Sequence, residues 1–195
     1  MILLIAVFIG LLAGLVRAGI RKREYRYDDL RHPWLVLVAF APQLIAFYIP
    51  ATSQKVSDSL AVIILITTQA LLLIFSVLNI KKISFWPIMT GFLANFLVIL
   101  VNGGLMPISP STIARMLPEG GAINYQVGER LGTGKDIVLS EANTRLAFLS
   151  DRIVVHDFLN FSVAFSAGDI LISLGVIWLL WTMGGPKDKV HLEKI

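Results

Sequence analysis

The chain has 195 residues, of which 56% are hydrophobic and 15% are charged, and its formal net charge at pH 7 is +4. Soluble proteins carry roughly 25% charged residues, so this composition, with a mean hydropathy of +0.77, excludes an ordinary soluble domain and indicates an integral membrane protein. The absence of cysteine excludes disulfides, thiolate metal sites and cysteine nucleophiles.

Five apolar runs follow one another along the chain, and each is close to the roughly 17–25 residues that a transmembrane helix needs. The first run precedes the basic residues that begin at Arg17, an order that favours an uncleaved anchor over a signal peptide. The predicted spans cover residues 2–16, 33–49, 60–78, 85–101 and 162–183. The sequence therefore predicts an all-α integral membrane protein, a five-helix bundle that forms one membrane domain over residues 1–195.

The basic residues of the connections predict the orientation of these spans. Eleven of the seventeen lysines and arginines fall on one side: Arg17, Arg21, Lys22, Arg23, Arg26, Arg31, Lys81, Lys82, Lys187, Lys189 and Lys194. Because positive loops stay in the cytoplasm, we expect the N-terminus outside and the C-terminus inside the plasma (inner) membrane of a bacterium. The net positive charge then indicates contact with anionic lipid headgroups and not with nucleic acid.

The long connection over residues 102–161 is predicted to lie outside the cytoplasm and to mix short helices with strands. Ser109 precedes Pro110 and is expected to cap a short helix that continues over residues 112–117 and ends at 118–121. Residues 136–140 favour a short strand. A connection of this length that has its own local structure is more often functional than idle.

Asp169 is the most informative residue because it lies near the outer end of the last apolar run. A carboxylate at membrane depth costs about 2.5–3.5 kcal/mol on insertion scales, so it usually serves chemistry, an ion path or a partner. The alternative is that Asp169 pairs with a cation of the outer segment, such as Arg145 or Arg152, or is hydrated among lipid headgroups. The amides Gln43, Gln69 and Asn95 lie within other spans, where hydrogen bonding between helices is the expected role.

The stretch Phe165–Gly175 resembles the last motif of the lipoprotein signal peptidases, aspartyl membrane enzymes with the pattern Asn-x-Ala-Asp-x-x-Ile-x-x-Gly. Asp169, Ile172 and Gly175 match in register, whereas Ser166 and Gly168 stand where that family has Asn and Ala. Upstream, Asp151–Phe158 is similar to the family's Asp-Arg followed by Val-Val-Asp-Phe. The resemblance covers about 25 residues, and that family has four spans.

The resemblance implies an aspartyl dyad that hydrolyses a membrane-anchored substrate near the outer leaflet without a metal or other cofactor. Two close carboxylates in a poorly solvated pocket cannot both ionise, so one acts as the acid and the other as the base. Asp169 would be one member and Asp151 or Asp157 the other. Asp151 is favoured because 18 residues separate it from Asp169. By the same analogy, Asn102 would position the substrate or orient the dyad.

The chain as a whole is more similar to a family of small bacterial multi-pass proteins with no assigned activity. That resemblance rests on three segments, Asn102–Pro107, Phe148–Asp151 and Phe165–Asp169. Three functions stay open: a non-enzymatic membrane component or complex subunit, which we favour, an aspartyl endopeptidase, and a small transporter. The expected partners are membrane lipids and either a membrane protein or a membrane-anchored substrate. Only Pro42 suggests the broken helices of a transporter.

Overall fold

The computed structural model describes residues 2–25, 30–117, 123–156 and 162–185. This part of the chain is mostly helical, with four short strands. Its seven helices are α1 (Ile2–Ile20), α2 (Trp34–Phe47), α3 (Pro50–Ser53), α4 (Asp58–Leu78), α5 (Phe85–Val101), α6 (Pro110–Met116) and α7 (Ala167–Met183). Its strands are β1 (Met106–Ile108), β2 (Asp136–Val138), β3 (Ile153–His156) and β4 (Ser162–Phe165).

The five long helices pack in a row, in the order α1, α7, α5, α4, α2. Each makes its main helix–helix contacts with the neighbours in this order. An apolar core follows the row from α2 to α7 and contains Leu35, Ala39, Leu72, Phe75, Phe85, Ile88, Phe92, Ile172 and Leu179. A row of this kind leaves apolar side chains exposed on both of its faces.

Glycines bring the backbone of α1 close to that of α7. A Cβ atom at Gly10 would lie 2.9 Å from the Cα atom of Ile177, and one at Gly14 would overlap the carbonyl oxygen of Leu180. Only glycine permits so close an approach. The contacts advance in the same direction along both helices, so α1 and α7 are parallel.

Helices α5 and α7 are antiparallel and equally close. A Cβ atom at Gly91 would lie 2.7 Å from the side chain of Ile172, and one at Gly175 would lie 3.0 Å from the backbone nitrogen of Ile88. Residues nearer the C-terminal end of α7 thus contact residues nearer the N-terminal end of α5. The N-terminal end of α7 therefore lies beside the C-terminal half of α5, where the candidate site forms.

The connections between helices gather at two ends of the row. At one end, Arg130 Nη1 donates to the carbonyl of Val56, at 2.9 Å, which ties the 102–161 segment to the connection between α3 and α4. At the other end, the backbone of Arg31 is hydrogen-bonded to Asn79. This second end, the basic end, carries the described members of the eleven basic residues: Arg17, Arg21, Lys22, Arg23, Arg31, Lys81 and Lys82. Arg26, Lys187, Lys189 and Lys194 lie outside the described residues.

Two of the five predicted spans meet a length and hydropathy criterion for crossing a membrane. Helix α1 has 19 residues and α4 has 21. Helices α2, α5 and α7 are apolar but shorter, with 14, 17 and 17 residues. Two helices are thus candidate membrane spans, the other three are shorter apolar helices, and the five-span arrangement stays a prediction.

The helix bounds agree with the predicted spans at some ends and differ at others. Helix α5 has the predicted bounds, 85–101. Helix α1 continues past Arg17 to Ile20. The Arg17 guanidinium lies over the ring of Trp181 of α7, 3.7 Å from its centroid. The largest difference is at the last span, where residues 162–165 form strand β4 and the helix begins only at Ala167.

The described part of the 102–161 segment folds into a small cap on the row. Strand β1 pairs in parallel with β2, and β3 pairs antiparallel with β4. Their core contains Ile108, Ile113 and Val138. The short helix predicted after Ser109 is present as α6, and the Ser109 hydroxyl accepts from the backbone of Thr112 at 3.2 Å. The predicted strand is present over residues 136–138. Residues 118–121, predicted to end α6, lie outside the described residues.

Candidate functional site

Asp169 lies in the first turn of α7, where it forms a capping box with Ser166. The backbone nitrogen of Asp169 donates to Ser166 Oγ at 3.0 Å, and the backbone nitrogen of Ser166 donates to Asp169 Oδ2 at 3.1 Å. This pairing satisfies two backbone donors that a helix start leaves free. A carboxylate in this turn also interacts favourably with the helix dipole.

Asn95 of α5 completes the hydrogen bonding of this helix start. Its Nδ2 donates to Asp169 Oδ1 at 2.9 Å, and its Oδ1 accepts from the buried Ser166 hydroxyl at 2.9 Å. Gly168 permits this contact, because a Cβ atom there would lie 2.7 Å from Asn95 Cγ and 2.8 Å from the carbonyl oxygen of Gly91. Both oxygens of Asp169 are thus hydrogen-bonded, and the carboxylate joins α7 to α5.

Asp151 is held in the cap beside β1. Its backbone nitrogen donates to the carbonyl of Pro107 at 3.2 Å, and it forms an isolated bridge with Ile108. Its side chain is only 3% exposed, and Oδ2 lies 2.6 Å from Lys135 Nζ. Lys135 also contacts Asp136 Oδ1 at 2.8 Å. Lys135 therefore bridges two carboxylates.

Burial dominates the electrostatics of Asp151. Burial raises the pKa of Asp151 most, and the negative charges of Asp136 and Asp169 raise it further. The positive charge of Lys135 lowers it, and the net result is a rise from 3.8 to about 7. Burial alone would lower the pKa of Lys135, but Asp136, Asp151 and Asp169 outweigh it and hold that pKa well above 10.5. The Lys135 side chain is still 33% exposed, so solvent screens part of this attraction. Asp151 can therefore bind or release a proton near neutral pH.

The structure describes two of the three residues proposed for the dyad, Asp151 and Asp169. Asp151 and Asp169 are near enough for the charge of Asp169 to raise the pKa of Asp151. However, no hydrogen bond joins the two carboxylates directly, although the structure describes both. Asp151 is paired with Lys135 and Asp169 with Asn95. Asp157, the other candidate, lies outside the described residues.

Asn102 is placed at the C-terminal end of α5 and holds a loop. Its side chain hydrogen-bonds to both the backbone nitrogen and the carbonyl of Arg145. The amide that contacts Asp169 is that of Asn95. Asn95 lies about 10 Å from Asn102 along the helix axis, toward the start of α5, at 1.5 Å per residue. The predicted role of Asn102 in positioning a substrate stays a prediction.

Sequence reasoning missed Lys135 and the partnership of Asn95 with Asp169. Ser166 and Asp169 are spaced as Ser-x-x-Asp before an apolar run, which is a helix-start signal and could have placed the beginning of α7. No comparable signal in one sequence connects Asn95 to Asp169 or Lys135 to Asp151. Among the described residues, no group of three His, Cys, Asp or Glu side chains is placed to hold a metal ion.

These features define a class: a mostly helical protein with two helices long and apolar enough to cross a membrane and a small cap that the buried Asn102 side chain ties to the end of α5. The chain belongs to a family of unknown function, DUF5317, whose family model matches residues 28–181. This match includes α2, α4 and α5, all of α7 except its last two residues, and every residue of the candidate site. Comparisons with curated proteins and with solved structures gave no match.

Proposed function

We propose that the protein is a multi-pass component of the bacterial plasma membrane that has no catalytic activity of its own and assembles with a membrane partner. Its outer cap would be held on the helix row by the hydrogen bonds of Asn102 with the Arg145 backbone and of Arg130 with the carbonyl of Val56. The observation that carries this proposal is that both oxygens of Asp169 accept structural hydrogen bonds, Oδ1 from the Asn95 side chain and Oδ2 from the Ser166 backbone.

The exposed surface of the helix row supports a lipid environment. Each long helix presents large apolar side chains outward, for example Phe8 on α1, Leu37 on α2 and Ile63 on α4. Soluble monomers rarely expose contiguous apolar patches of more than a few hundred Å², whereas helices in a bilayer must be apolar on their lipid-facing sides. A row with two such faces is stable where acyl chains or another membrane protein cover both.

The distribution of charge supports the proposed orientation. Lysines and arginines collect at the basic end, and so do all four tryptophans: Trp34, Trp86, Trp178 and Trp181. Cytoplasmic loops are enriched in basic residues, and tryptophan favours the membrane–water interface. The basic end would then face the cytoplasm, and the cap would lie outside.

The location can be tested with single cysteines, because the chain has none of its own. Lys81→Cys places a thiol at the basic end, and Glu129→Cys places one in an exposed turn of the cap. In intact cells a membrane-impermeant maleimide should label position 129 only, and after permeabilisation it should label both. Equal labelling in intact cells, or recovery of the protein in the soluble fraction, would overturn the proposal.

Assembly with a partner has a separate test. Solubilised in a mild detergent, the protein should copurify with another membrane protein in a constant ratio, with the copy number measured by native mass spectrometry. The pair should persist in the Asp169→Asn variant provided that its helix content is unchanged. A monomer free of partners over a range of mild detergents would contradict the complex-subunit proposal while leaving the membrane location intact.

An aspartyl endopeptidase is the second candidate, and the electrostatics of Asp151 favour it. A carboxyl group that is protonated near neutral pH beside a second carboxylate is what an acid–base pair requires. Asp151→Asn and Asp169→Asn should then abolish processing of co-expressed membrane-anchored precursors, as seen by gel mobility. Glu129→Gln, which removes an exposed acid of the same segment, should process normally. Unchanged processing in both aspartate variants would end this candidate.

A further inference from the structure

Two asparagines at helix ends hold distant loops with the same hydrogen bonds. Asn102 ends α5, and its Nδ2 donates to the carbonyls of Val98 and Arg145, each at 2.8 Å. Its Oδ1 accepts from the backbone nitrogen of Arg145 at 2.9 Å. The Arg145 backbone is thus clamped at the end of α5, at the same level as the last helical turn.

Asn79 makes the equivalent clamp at the basic end, where it ends α4. Its Nδ2 donates to the carbonyls of Phe75 and Arg31, at 2.9 and 3.0 Å, and its Oδ1 accepts from the Arg31 nitrogen at 2.8 Å. In both clamps the residue after the arginine is left-handed, with φ of 51° at His32 and 54° at Leu146.

The two clamped loops also place an aromatic side chain in the same position. Trp34 follows Arg31 by three residues, and Phe148 follows Arg145 by three. Both side chains are exposed, Trp34 at 54% and Phe148 at 63%. Trp34 belongs to the tryptophans of the basic end, which mark a membrane interface. Phe148 has the corresponding position in the clamped loop at the end of the row where the cap lies.

Local hydrogen bonds hold the turn over residues 145–149 in a conformation that leaves Phe148 exposed. The backbone nitrogen of Leu149 donates to the carbonyl of Leu146 at 2.8 Å, and Ser150 Oγ donates to that of Ala147 at 2.6 Å. Leu149 packs inward against the buried side chains at the outer ends of α4 and α5. Leu146 and Phe148 are both exposed. Leu146 has the left-handed backbone conformation, which leucine rarely adopts.

The end of α5 next to the Asn102 clamp also carries exposed apolar side chains. Leu97, Leu100 and Val101 are exposed along the last turns of the helix, just below the Asn102 clamp. Leu97 lies about 7.5 Å below Asn102 along the helix axis at 1.5 Å per residue. Phe148 therefore stands at the upper edge of the surface that would face lipid.

We infer that the turn over residues 145–149 anchors the cap in the outer lipid–water interface, with Phe148 among the upper acyl carbons and the Arg145 guanidinium near lipid phosphates. This inference rests on the proposed membrane location and adds to it the part of the cap that contacts lipid. An aliphatic stem with a charged head and a neighbouring aromatic ring suits this boundary. The surface recognised is the phospholipid bilayer itself.

The experiment uses the cysteine-free full chain with one introduced cysteine, a nitroxide label, and vesicles of phosphatidylcholine and phosphatidylglycerol. Three variants are compared: Phe148→Cys in the turn, Leu97→Cys on α5, and Glu129→Cys in the exposed turn of the cap. Power-saturation spectroscopy reports collisions with oxygen, which concentrates in lipid, and with a nickel chelate, which stays in water. Circular dichroism checks that each labelled variant keeps its helix content.

The ratio of oxygen to nickel accessibility should be lowest at 129, intermediate at 148 and highest at 97, with the value at 148 at least severalfold above that at 129. A ratio at 148 equal to that at 129 would overturn the anchor, and so would exclusion of both reagents, since a protein surface would then cover the turn. If position 97 also collides mainly with the nickel chelate, the membrane location itself fails. The two failures are therefore distinguishable.

Discussion

The Nδ2 atom of Asn95 lies 2.9 Å from Oδ1 of Asp169, so an amide in the middle of α5 binds the carboxylate that begins α7. The two residues are 74 positions apart in the chain. The same amide accepts from Ser166, which makes the end of β4, the start of α7 and the wall of α5 one hydrogen-bonded unit. This unit explains how a carboxylate can be kept near apolar helices without an enzymatic role.

Replacing Asn95 by alanine should destabilise the protein because it leaves Asp169 Oδ1 without a donor and the Ser166 hydroxyl without an acceptor for its proton. A buried polar group that loses its partner costs about 1–3 kcal/mol, so the thermal unfolding midpoint in detergent should fall by several degrees. Thr90→Ala is the matched control on the same helix, because Thr90 is exposed and bonds only to its own turn. Equal midpoints for the two variants would contradict the role of Asn95.

Gly168→Ala should have a larger effect than the removal of any one hydrogen bond. The new methyl group would meet Asn95 and the carbonyl of Gly91, which forces α7 away from α5. Overpacking costs about 1–3 kcal/mol, in addition to the broken hydrogen bonds. Gly19→Ala, near the end of α1, places its methyl in open space and should be neutral or slightly stabilising. The thermal unfolding midpoints of both variants should be measured in the same detergent. A midpoint for Gly168→Ala equal to that of Gly19→Ala would contradict the close packing of α7 on α5.

The sequence predicted the parts of the fold that depend on local pattern. The bounds of α5 and the helix start at Ser109 follow from an apolar run and from a capping residue, and both agree with the structure. The predicted start of the last helix was wrong, because residues 162–165 are as apolar as the helix that follows but form strand β4. Composition alone does not separate a short buried strand from a helix turn.

The candidate site was harder to predict because its contacts join distant segments. Asp169 and Asp151 stand out in the sequence because a carboxylate next to an apolar run is conspicuous, and their role in a dyad stays a prediction. Their partners were not foreseen. Lys135 reaches Asp151 only because β1 and β2 pair in parallel and bring residues 106 and 136 together. One sequence contains no record of that pairing.

The stability of the folded protein should fall as the pH rises through neutrality. The pKa of Asp151 is about 7 when folded and 3.8 as an ordinary carboxyl, so the folded state holds a proton that the unfolded state releases. That contribution is fully present below 3.8 and is lost as the pH passes about 7. Lys135 keeps its charge in this range, because its pKa is raised further above 10.5.

Between about pH 5 and about pH 8 the expected loss is on the order of 2 kcal/mol, and it can be measured as a fall in the unfolding midpoint. Asp151→Asn cannot titrate, so its midpoint should vary much less over the same interval. Glu129→Gln removes an exposed acid and should keep the full pH dependence. A wild-type midpoint that is constant or rises with pH would show that Asp151 is ionised in the folded protein.

Asn79 and Asn102 should respond to the same substitution in the same way, because each uses one oxygen as an acceptor and one nitrogen as a donor to two carbonyls. Aspartate has nearly the same shape but no donor when ionised, so it would place a negative charge against two carbonyl oxygens. Both Asn79→Asp and Asn102→Asp should therefore lose at least as much stability as the alanine variants, about 1–3 kcal/mol or more. Only Asn102→Asp should also increase the mobility of a nitroxide at position 148, since that clamp holds the Phe148 turn. An equal gain in mobility from Asn79→Asp would mean that the variants loosen the whole helix row and that the clamps do not act locally.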